Sequence, residues 1–188
     1  MTTTAAGTEL SDERLLLRPP TLDDVEAITQ ACQDPEIPRW IAAIPAPYTI
    51  EDARWFVTSL VEPGWASGED LVWAITDRET SAFLGTIGLH PRLAGVGEVG
   101  FWLAKPARGR GIMADAVELV CAFGFGVQGL QRIEWQAIVG NDTSRAVAER
   151  AGFTIEATLR QRLQRHDPDD PERVVAIDAW IGARFPPP

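Results

Sequence analysis

Cysteine, histidine and basic residues are scarce in this chain. Its 188 residues include two cysteines and two histidines, and 17 basic residues against 27 acidic ones give a formal charge of −10. Cys32 and Cys121 share no metal-ligand or redox spacing, so we expect two ordinary core thiols, with a reactive thiol or a disulfide as the alternative. The cysteines, histidines and scattered carboxylates form no recognisable ligand cluster, so we expect no metal. The acidic balance argues against a protein that binds nucleic-acid backbones.

Long hydrophobic runs and a leader pattern are also missing. No apolar stretch approaches the ~18 residues of a membrane span, so we expect no membrane partner. The opening sequence MTTTAAGTEL has no basic residue ahead of an apolar stretch, which argues against a secretory signal. We therefore expect residues 1–10 to form a disordered lead and the protein to be cytoplasmic.

The chain has enough apolar sequence for a single domain, which we place at residues 11–185. Hydrophobic residues make up 45% of the chain, and this length suits one packed core. The runs LVWAIT, AFLGTIGL and EVGFWLA predict three consecutive strands of an antiparallel meander. Further strands are expected at 13–18, in LQRIEWQAIV, and at 153–163 and 173–181, with helices at 21–34, 49–61, 112–125 and 141–152. The pattern predicts a mixed α/β (α+β) fold, a twisted sheet of about seven strands with about four helices.

A glycine-rich turn, KPARGRGIM, joins the strand EVGFWLA to the next helix. Glycines let the backbone approach an oxyanion closely, and a helix start offers unpaired N–H groups and the positive end of the helix dipole. Arg108 and Arg110 add cationic donors. The turn predicts a phosphate site, and a solvated turn is the alternative. Neither GxxxxGK[ST] nor a GxGxxG opening a βαβ unit is present, so an NTPase or a dinucleotide-binding fold is not supported.

The turn RGRGIM, a helix, a strand and then NDTSRAVAERAGF occur in the order and spacing of the GCN5-related N-acetyltransferase (GNAT) family. The chain resembles that family from Leu15 to about Trp180, most strongly in its C-terminal half, and specifically its ribosomal-protein N-terminal acetyltransferase-like branch. The family turn has Arg or Gln, two residues, Gly, one residue, and Gly or Ala. Arg108 and Gly111 match it, whereas Met113 occupies the small position.

The resemblance implies a single-domain GNAT fold with acetyl-CoA as co-substrate. It places the CoA pyrophosphate on the turn, at Arg108, Gly109, Arg110, Gly111, Ile112 and Met113. It places the pantetheine arm between two splayed parallel strands, with backbone contacts from Phe101, Trp102 and Leu103. Asn141 matches the family residue that contacts this arm, although an asparagine ahead of a helix is also an ordinary cap.

The usual acid of the family is missing. Many members carry a tyrosine seven residues after the asparagine, where this chain has Ala148, and the only tyrosine is the distant Tyr48. The resembled branch places a serine one helical turn earlier that can protonate the CoA sulfur, which makes Ser144 the candidate acid. A serine that bonds the backbone at a helix start is the alternative interpretation.

Two residues are candidates for the general base. Glu98 lies on the strand before the turn, where some relatives place a water-mediated base, and a surface glutamate is its alternative interpretation. His90 can act as a base by its ordinary chemistry, although a lone histidine is more often structural. Trp40, Tyr48 and Trp73 are aromatics that either line an acceptor pocket or belong to the core.

The resemblance implies direct transfer of acetyl from acetyl-CoA to a primary amine, with peptide or protein α-amines as the first expectation. A small amine, such as an amino sugar, polyamine or antibiotic, is the first alternative because acceptor loops differ freely on one fold. A CoA-binding module without catalysis is the second, because of the absent tyrosine and Met113. A homodimer is common among similar proteins.

Overall fold

The computed structural model describes residues 7–92, 95–167, 170 and 173–187. In this part of the chain, eight strands form one sheet in the order β1-β2-β3-β4-β5-β6-β8-β7. They are β1 Leu10–Ser11, β2 Leu15–Arg18, β3 Leu71–Asp77, β4 Phe83–Pro91, β5 Val96–Leu103, β6 Arg132–Ile138, β7 Thr154–His166 and β8 Val174–Arg184. Neighbouring strands are antiparallel except β5 and β6, which run parallel.

The helices fill the connections after β2, β5 and β6. They are α1 Val25–Ala31, which follows a 3-10 turn at Leu22–Asp24, α2 Glu36–Trp40, α3 Ile50–Trp55, α4 Glu62–Ser67, α5 Ile112–Gly126 and α6 Asp142–Arg150. A π-helical segment, Phe56–Val61, joins α3 to α4, so the described residues contain five separate helices. The start of α3 is fixed by a capping box, because Thr49 N donates to Asp52 Oδ2 at 2.8 Å and Asp52 N donates to Thr49 Oγ1 at 3.2 Å.

Helices cover both faces of the sheet, because successive strand residues point to opposite sides. Val99 and Trp135 belong to the main core, which also contains Val117, Val120 and Cys121 of α5. Trp102 instead packs against a second cluster of buried residues on α1 and α3. The sheet therefore separates α5, on one face, from α1 to α3 on the other.

The predicted mixed α/β fold is confirmed, and the meander is formed by β3, β4 and β5. The sequence predicted about seven strands and four helices. The strand that it did not predict is β1, only two residues long, and the helix that it did not predict is α2, whose five residues include Pro38. The helix expected to end near residue 61 continues to Ser67 through the π-helical segment. The two cysteines are buried, as expected for core thiols, and burial raises the pKa of each to about 12.

Most of the lead expected at 1–10 falls on residues 1–6, outside the described residues. The part that is described contacts the fold, because Thr8 O accepts a hydrogen bond of 2.8 Å from Trp73 Nε1 and Leu10 begins β1. Four of the seven residues of the predicted polar loop HDPDDPE, at positions 168, 169, 171 and 172, also lie outside the described residues. Among the described residues, no helix has the length and apolar content needed to cross a membrane.

Candidate active site

The two parallel strands at the centre of the sheet separate toward their C-terminal ends. β5 and β6 pair from Val96 with Arg132 to Val99 with Trp135, and their pairing stops there. Beyond that point β5 stays paired with β4, and β6 with β8. The facing backbone edges of residues 100–103 and 136–138 are left unpaired with each other, and an extended ligand can enter between them like an added strand.

The turn after β5 exposes a row of backbone amides. Gly109 and Gly111 have φ values of +75° and +80°, which glycine adopts without strain. Gly111 is the N-cap of the 15-residue helix α5, and the amide of Asp115 is the first to donate back to it, at 3.2 Å. In the described chain no backbone acceptor takes the amides of residues 109–114. These donors, at the positive end of a helix dipole, suit a phosphate.

The open face of this turn has room for a ligand. A Cβ built on Gly109 would meet no atom within 4 Å. Ile112 and Met113 are only 2% and 4% exposed and belong to the main core. The bulk of Met113 therefore lies beneath the turn, and the residue can still present its backbone N–H.

Arg108 holds the turn together from within the protein. Its Nε and Nη2 donate to Leu103 O at 3.0 and 2.9 Å, and its Nη1 lies 2.7 Å from Asp34 Oδ2. The guanidinium therefore ties the end of β5 to the segment between α1 and α2. These contacts occupy three nitrogens of the Arg108 guanidinium, which we expected to bind phosphate.

Two other arginines border the turn. Arg14 Nη2 donates to Arg110 O at 3.1 Å, and Arg14 Nη1 lies 2.9 Å from Asp115 Oδ2, so Arg14 fixes the backbone of the turn. A Cβ built on Gly111 would lie 3.7 Å from Nη2 of Arg150, the last residue of α6. The Arg150 side chain makes no ion pair within the described residues. Arg150 and Arg110, which lies within the turn, are thus cations beside the unpaired amides that make no ion pair in the described part of the chain. No sequence pattern links position 150 to position 111.

Asn141 and Ser144 lie at the start of α6. Asn141 Oδ1 accepts from Ser144 N at 3.2 Å, so this asparagine does cap the helix. Ser144 Oγ accepts from Trp135 Nε1 at 3.1 Å. Because the oxygen serves as the acceptor in that bond, the O–H remains available as a donor. Ala148, at the position of the family's tyrosine, is buried in the core.

Two cavities meet at the strand gap. One of about 650 Å³ runs along the turn and the start of α6, and the other of about 1340 Å³ extends over the opposite face of the sheet. The two cavities share six lining residues, which are Trp40, Ile41, Phe101, Trp102, Asn141 and Ser144. Two ligands that enter from opposite faces can therefore meet beside Ser144.

The aromatic candidates divide between the cavity and the core. Trp40 and Tyr48 line the larger cavity, and burial raises the pKa of Tyr48 well above its ordinary value. Trp73 is fully buried and packs edge-on against Trp65 and Phe123, with ring centroids 5.0 and 5.6 Å away. Trp73 is thus a core residue.

The two base candidates are cross-strand neighbours, because His90 pairs with Glu98 in register. Glu98 Oε2 accepts from Gln136 Nε2 at 2.8 Å and lies 3.8 Å from Arg92 Nε. His90 Nδ1 lies 2.6 Å from Asp70 Oδ1, and His90 lines the larger cavity. Asp70 was not among the sequence candidates, since it lies 20 residues from His90 and carries no motif.

The described residues contain no group of three or more His, Cys, Asp or Glu side chains placed to hold a metal ion. The site instead combines two parallel strands that separate, a helix start with unpaired backbone amides, and two joined cavities. This is the architecture of an acyl-CoA-dependent transferase. The family described as "Acetyltransferase (GNAT) domain" matches residues 14–154, well over half of the chain. The chain belongs to the GNAT family and is an acetyl-CoA-dependent N-acetyltransferase.

Relatives in Bacillus subtilis match over most of the chain. The uncharacterized N-acetyltransferase YoaA is 27% identical over 162 residues, which cover 84% of this chain and 89% of YoaA. The protein named "Probable N-acetyltransferase YjcK" is 30% identical over 133 residues, which cover 69% of this chain and 73% of YjcK.

Solved structures share the fold. The apo ribosomal L7/L12 alpha-N-protein acetyltransferase RimL superposes with a TM-score of 0.82 at 19% identity, covering 96% of this chain and 95% of RimL. RimJ of Mycobacterium smegmatis, solved in complex with CoA-disulfide, gives a TM-score of 0.78 at 20% identity and covers 95% and 86% of the two chains.

Proposed function

We propose that this enzyme transfers acetyl from acetyl-CoA to the α-amine at the N-terminus of a peptide or protein. The observation that carries this proposal is the larger cavity, of about 1340 Å³, which joins the smaller one at Ser144. Sites for drug-sized molecules have volumes of roughly 300–1,000 Å³. A cavity above that range has space for several residues of an extended chain behind the reacting amine.

The smaller cavity receives acetyl-CoA, which supplies an activated acetyl thioester. The amides of residues 109–114 and the cation of Arg150 bind its phosphates. The unpaired backbone edge at Phe101, Trp102 and Leu103 holds the pantetheine arm, whose amides need partners. Asn141 contacts the same arm from the start of α6.

Ser144 acts as the acid for the departing thiolate. Trp135 holds its oxygen by donating a hydrogen bond, which leaves the Ser144 proton free to move to sulfur. His90 and its cross-strand neighbour Glu98 are the two candidate bases, and by resemblance Glu98 acts through water. Its carboxylate already binds Gln136, so the glutamate has a fixed orientation.

A small amine is the second candidate acceptor, and the aromatic side chains that line the larger cavity favour it. Trp40 lines that cavity, and the Arg39 guanidinium lies 4.8 Å from its ring centroid, so a cation already stacks there. An ammonium or sugar ring can stack on the same kind of surface.

A panel of acceptors tests the choice. N-terminal peptides with different first residues, spermidine and an amino sugar are each incubated with enzyme and acetyl-CoA, and released CoA is measured with a thiol reagent. We expect turnover with free N-terminal peptides and none with the same peptides blocked by an N-formyl group. Turnover on a small amine with no peptide reacting would reject the peptide assignment.

A further inference from the structure

We propose that Asp70 and His90 form a dyad in which His90 Nε2 takes the proton of the acceptor amine, as the general base. This inference rests on the proposed acetyl transfer to an amine and names the group that prepares the nucleophile. The dyad combines residues from two elements, with Asp70 directly before β3 and His90 near the end of β4.

The contact with Asp70 determines which nitrogen of the imidazole is basic. His90 Nδ1 lies 2.6 Å from Asp70 Oδ1. An ionised carboxylate only accepts hydrogen bonds, so Nδ1 carries the proton and the neutral ring keeps its lone pair on Nε2. A carboxylate that orients a histidine and stabilises its protonated form is a recurring arrangement in catalysis.

The backbone that carries this carboxylate packs closely against α4. A Cβ built on Gly64 of α4 would lie 2.3 Å from Asp70 O, so the helix packs tightly against that residue. The Asp70 side chain is 43% exposed and that of His90 is 21% exposed. The dyad is therefore anchored on one side and open to the cavity on the other.

Two glycines keep a clear surface beneath Nε2. A Cβ built on Gly88 would lie 2.6 Å from His90 Nε2, and one built on Gly100 would lie 3.9 Å from it. Gly88 and Gly100 face each other across β4 and β5, and both line the larger cavity. Gly88 must be glycine for the imidazole to keep this position, although its φ is not in the left-handed region.

Nε2 lies where the two parallel strands part. Pairing of β5 with β6 ends at Val99, so Gly100 is the first residue of the gap. The gap is where the acetyl group and the amine meet in the proposed function. Glu98, the cross-strand neighbour of His90, already accepts a hydrogen bond from Gln136 with its Oε2. Nε2 of His90 has no such protein partner within the described residues.

The proposed proton transfers balance. Nε2 takes one proton from the acceptor ammonium, and the neutral amine forms the new C–N bond at the acetyl carbonyl carbon. The C–S bond breaks, and the second amine proton reaches the thiolate through the hydroxyl of Ser144. His90 then releases its proton to solvent, so acetyl-CoA and an ammonium give an amide, CoA and one proton.

The test compares His90→Gln and Asp70→Asn in the full chain. We expect kcat/KM for the acceptor to fall by about 10²-fold or more in His90→Gln and by about tenfold or more in Asp70→Asn, with the Kd for CoA changed less than about twofold. Glu69→Gln is the matched control, because it removes one negative charge from the neighbouring exposed residue and should retain activity. Added imidazole should restore part of the turnover of His90→Gly.

The outcomes separate the dyad from the proposed function. An active wild-type enzyme with unchanged kcat/KM in His90→Gln, or His90→Gly that binds CoA but is not rescued by imidazole, overturns the dyad alone. Absence of turnover by the wild-type enzyme on every amine overturns the proposed function and the dyad with it. Gly88→Ala is a second variant that displaces the imidazole and leaves it chemically intact, and it should lose turnover while still binding CoA.

Discussion

At the scale of single residues, a hydrogen bond from a neighbouring tryptophan orients the hydroxyl of Ser144. Trp135 Nε1 donates to Ser144 Oγ at 3.1 Å, and Trp135 is almost fully buried, so the oxygen cannot readily turn away. Ser144→Ala should therefore lower kcat by about 10²-fold while changing the Kd for CoA less than about twofold. Steady-state kinetics and calorimetric titration with CoA measure the two effects.

Ser59→Ala, the same change on an exposed helix face, is the control for Ser144→Ala and should behave as wild type. Equal kcat in Ser144→Ala and wild type would remove the serine from the acid role.

Arg150 is the second residue whose surroundings predict an effect. Its guanidinium lies beside Gly111, and it has no protein partner in the described residues. A hydrogen bond to a charged group contributes about 1.5–3 kcal/mol, so Arg150→Ala should weaken CoA binding by about tenfold or more. The loss should shrink at high salt, because the contact is exposed and screened.

Arg54→Ala takes a positive charge from the exposed face of α3 and serves as the control for Arg150→Ala. Titration at low and high salt separates the two variants. An Arg150→Ala protein with wild-type affinity at low salt would mean that Arg150 does not bind the phosphates.

Some residues of the site could be predicted from the sequence and others could not. The turn at Gly109 and Gly111 was predicted from the sequence and both residues have the positive φ that favours glycine, whereas phosphate binding by this turn stays a prediction. Arg108 was expected to meet phosphate, but the fold brings Leu103 O and Asp34 to it first. Arg150 and Asp70 were not predicted, because only tertiary contacts between elements distant in sequence bring them to Gly111 and His90.

At the scale of elements, a buried charge pair anchors α1 to the sheet. Arg18 of β2 donates to both carboxylate oxygens of Asp24 at 2.8 Å, and Thr21 N donates to the same carboxylate at 2.8 Å. Burial alone would raise the pKa of Asp24, but the hydrogen bonds from Arg18 and Thr21 outweigh it and hold the pKa below its ordinary value. Removing one partner of such a pair costs about 3–5 kcal/mol.

Asp24→Asn should therefore lower the free energy of unfolding by about 3 kcal/mol at neutral pH. Because the folded pKa is depressed, the stabilisation is complete above the unfolded value of about 3.9 and disappears as the pH falls through the folded value. Urea unfolding from pH 7 down to pH 3 should show that the difference in the free energy of unfolding between wild type and variant becomes smaller below about pH 4. A difference that stays constant over this range would contradict the role assigned to the Asp24 carboxylate.

The strands with strong hydrophobic patterns were predicted from the sequence, whereas the shortest elements and the order of the strands depend on tertiary packing. The runs in β3, β4 and β5 are apolar enough to be recognised alone. A two-residue strand such as β1 has no period to detect, and the Pro38 of α2 argues locally against a helix. The order of strands at the centre, with β5 parallel to β6, came only from resemblance and not from any pattern within either strand.

At the scale of the whole molecule, the sheet consists of two parts joined at a short seam. Four register pairs, from Val96 to Val99, connect the five strands β1 to β5 with the three strands β6, β8 and β7. In the gap beyond Val99 a ligand can contact the backbone of both parts. CoA bound there should act as a partial strand between them.

Hydrogen exchange of backbone amides tests this placement of CoA. Saturating CoA should slow exchange in the gap segments, 100–103 and 136–138, and in the turn, 109–114, because the ligand excludes water and supplies acceptors there. β1 and β2 should exchange at unchanged rates. Adenosine 3′,5′-bisphosphate lacks the pantetheine arm, so it should protect the turn without protecting the gap. Protection of the gap by this shorter ligand, or no protection there by CoA, would show that the arm does not lie between β5 and β6.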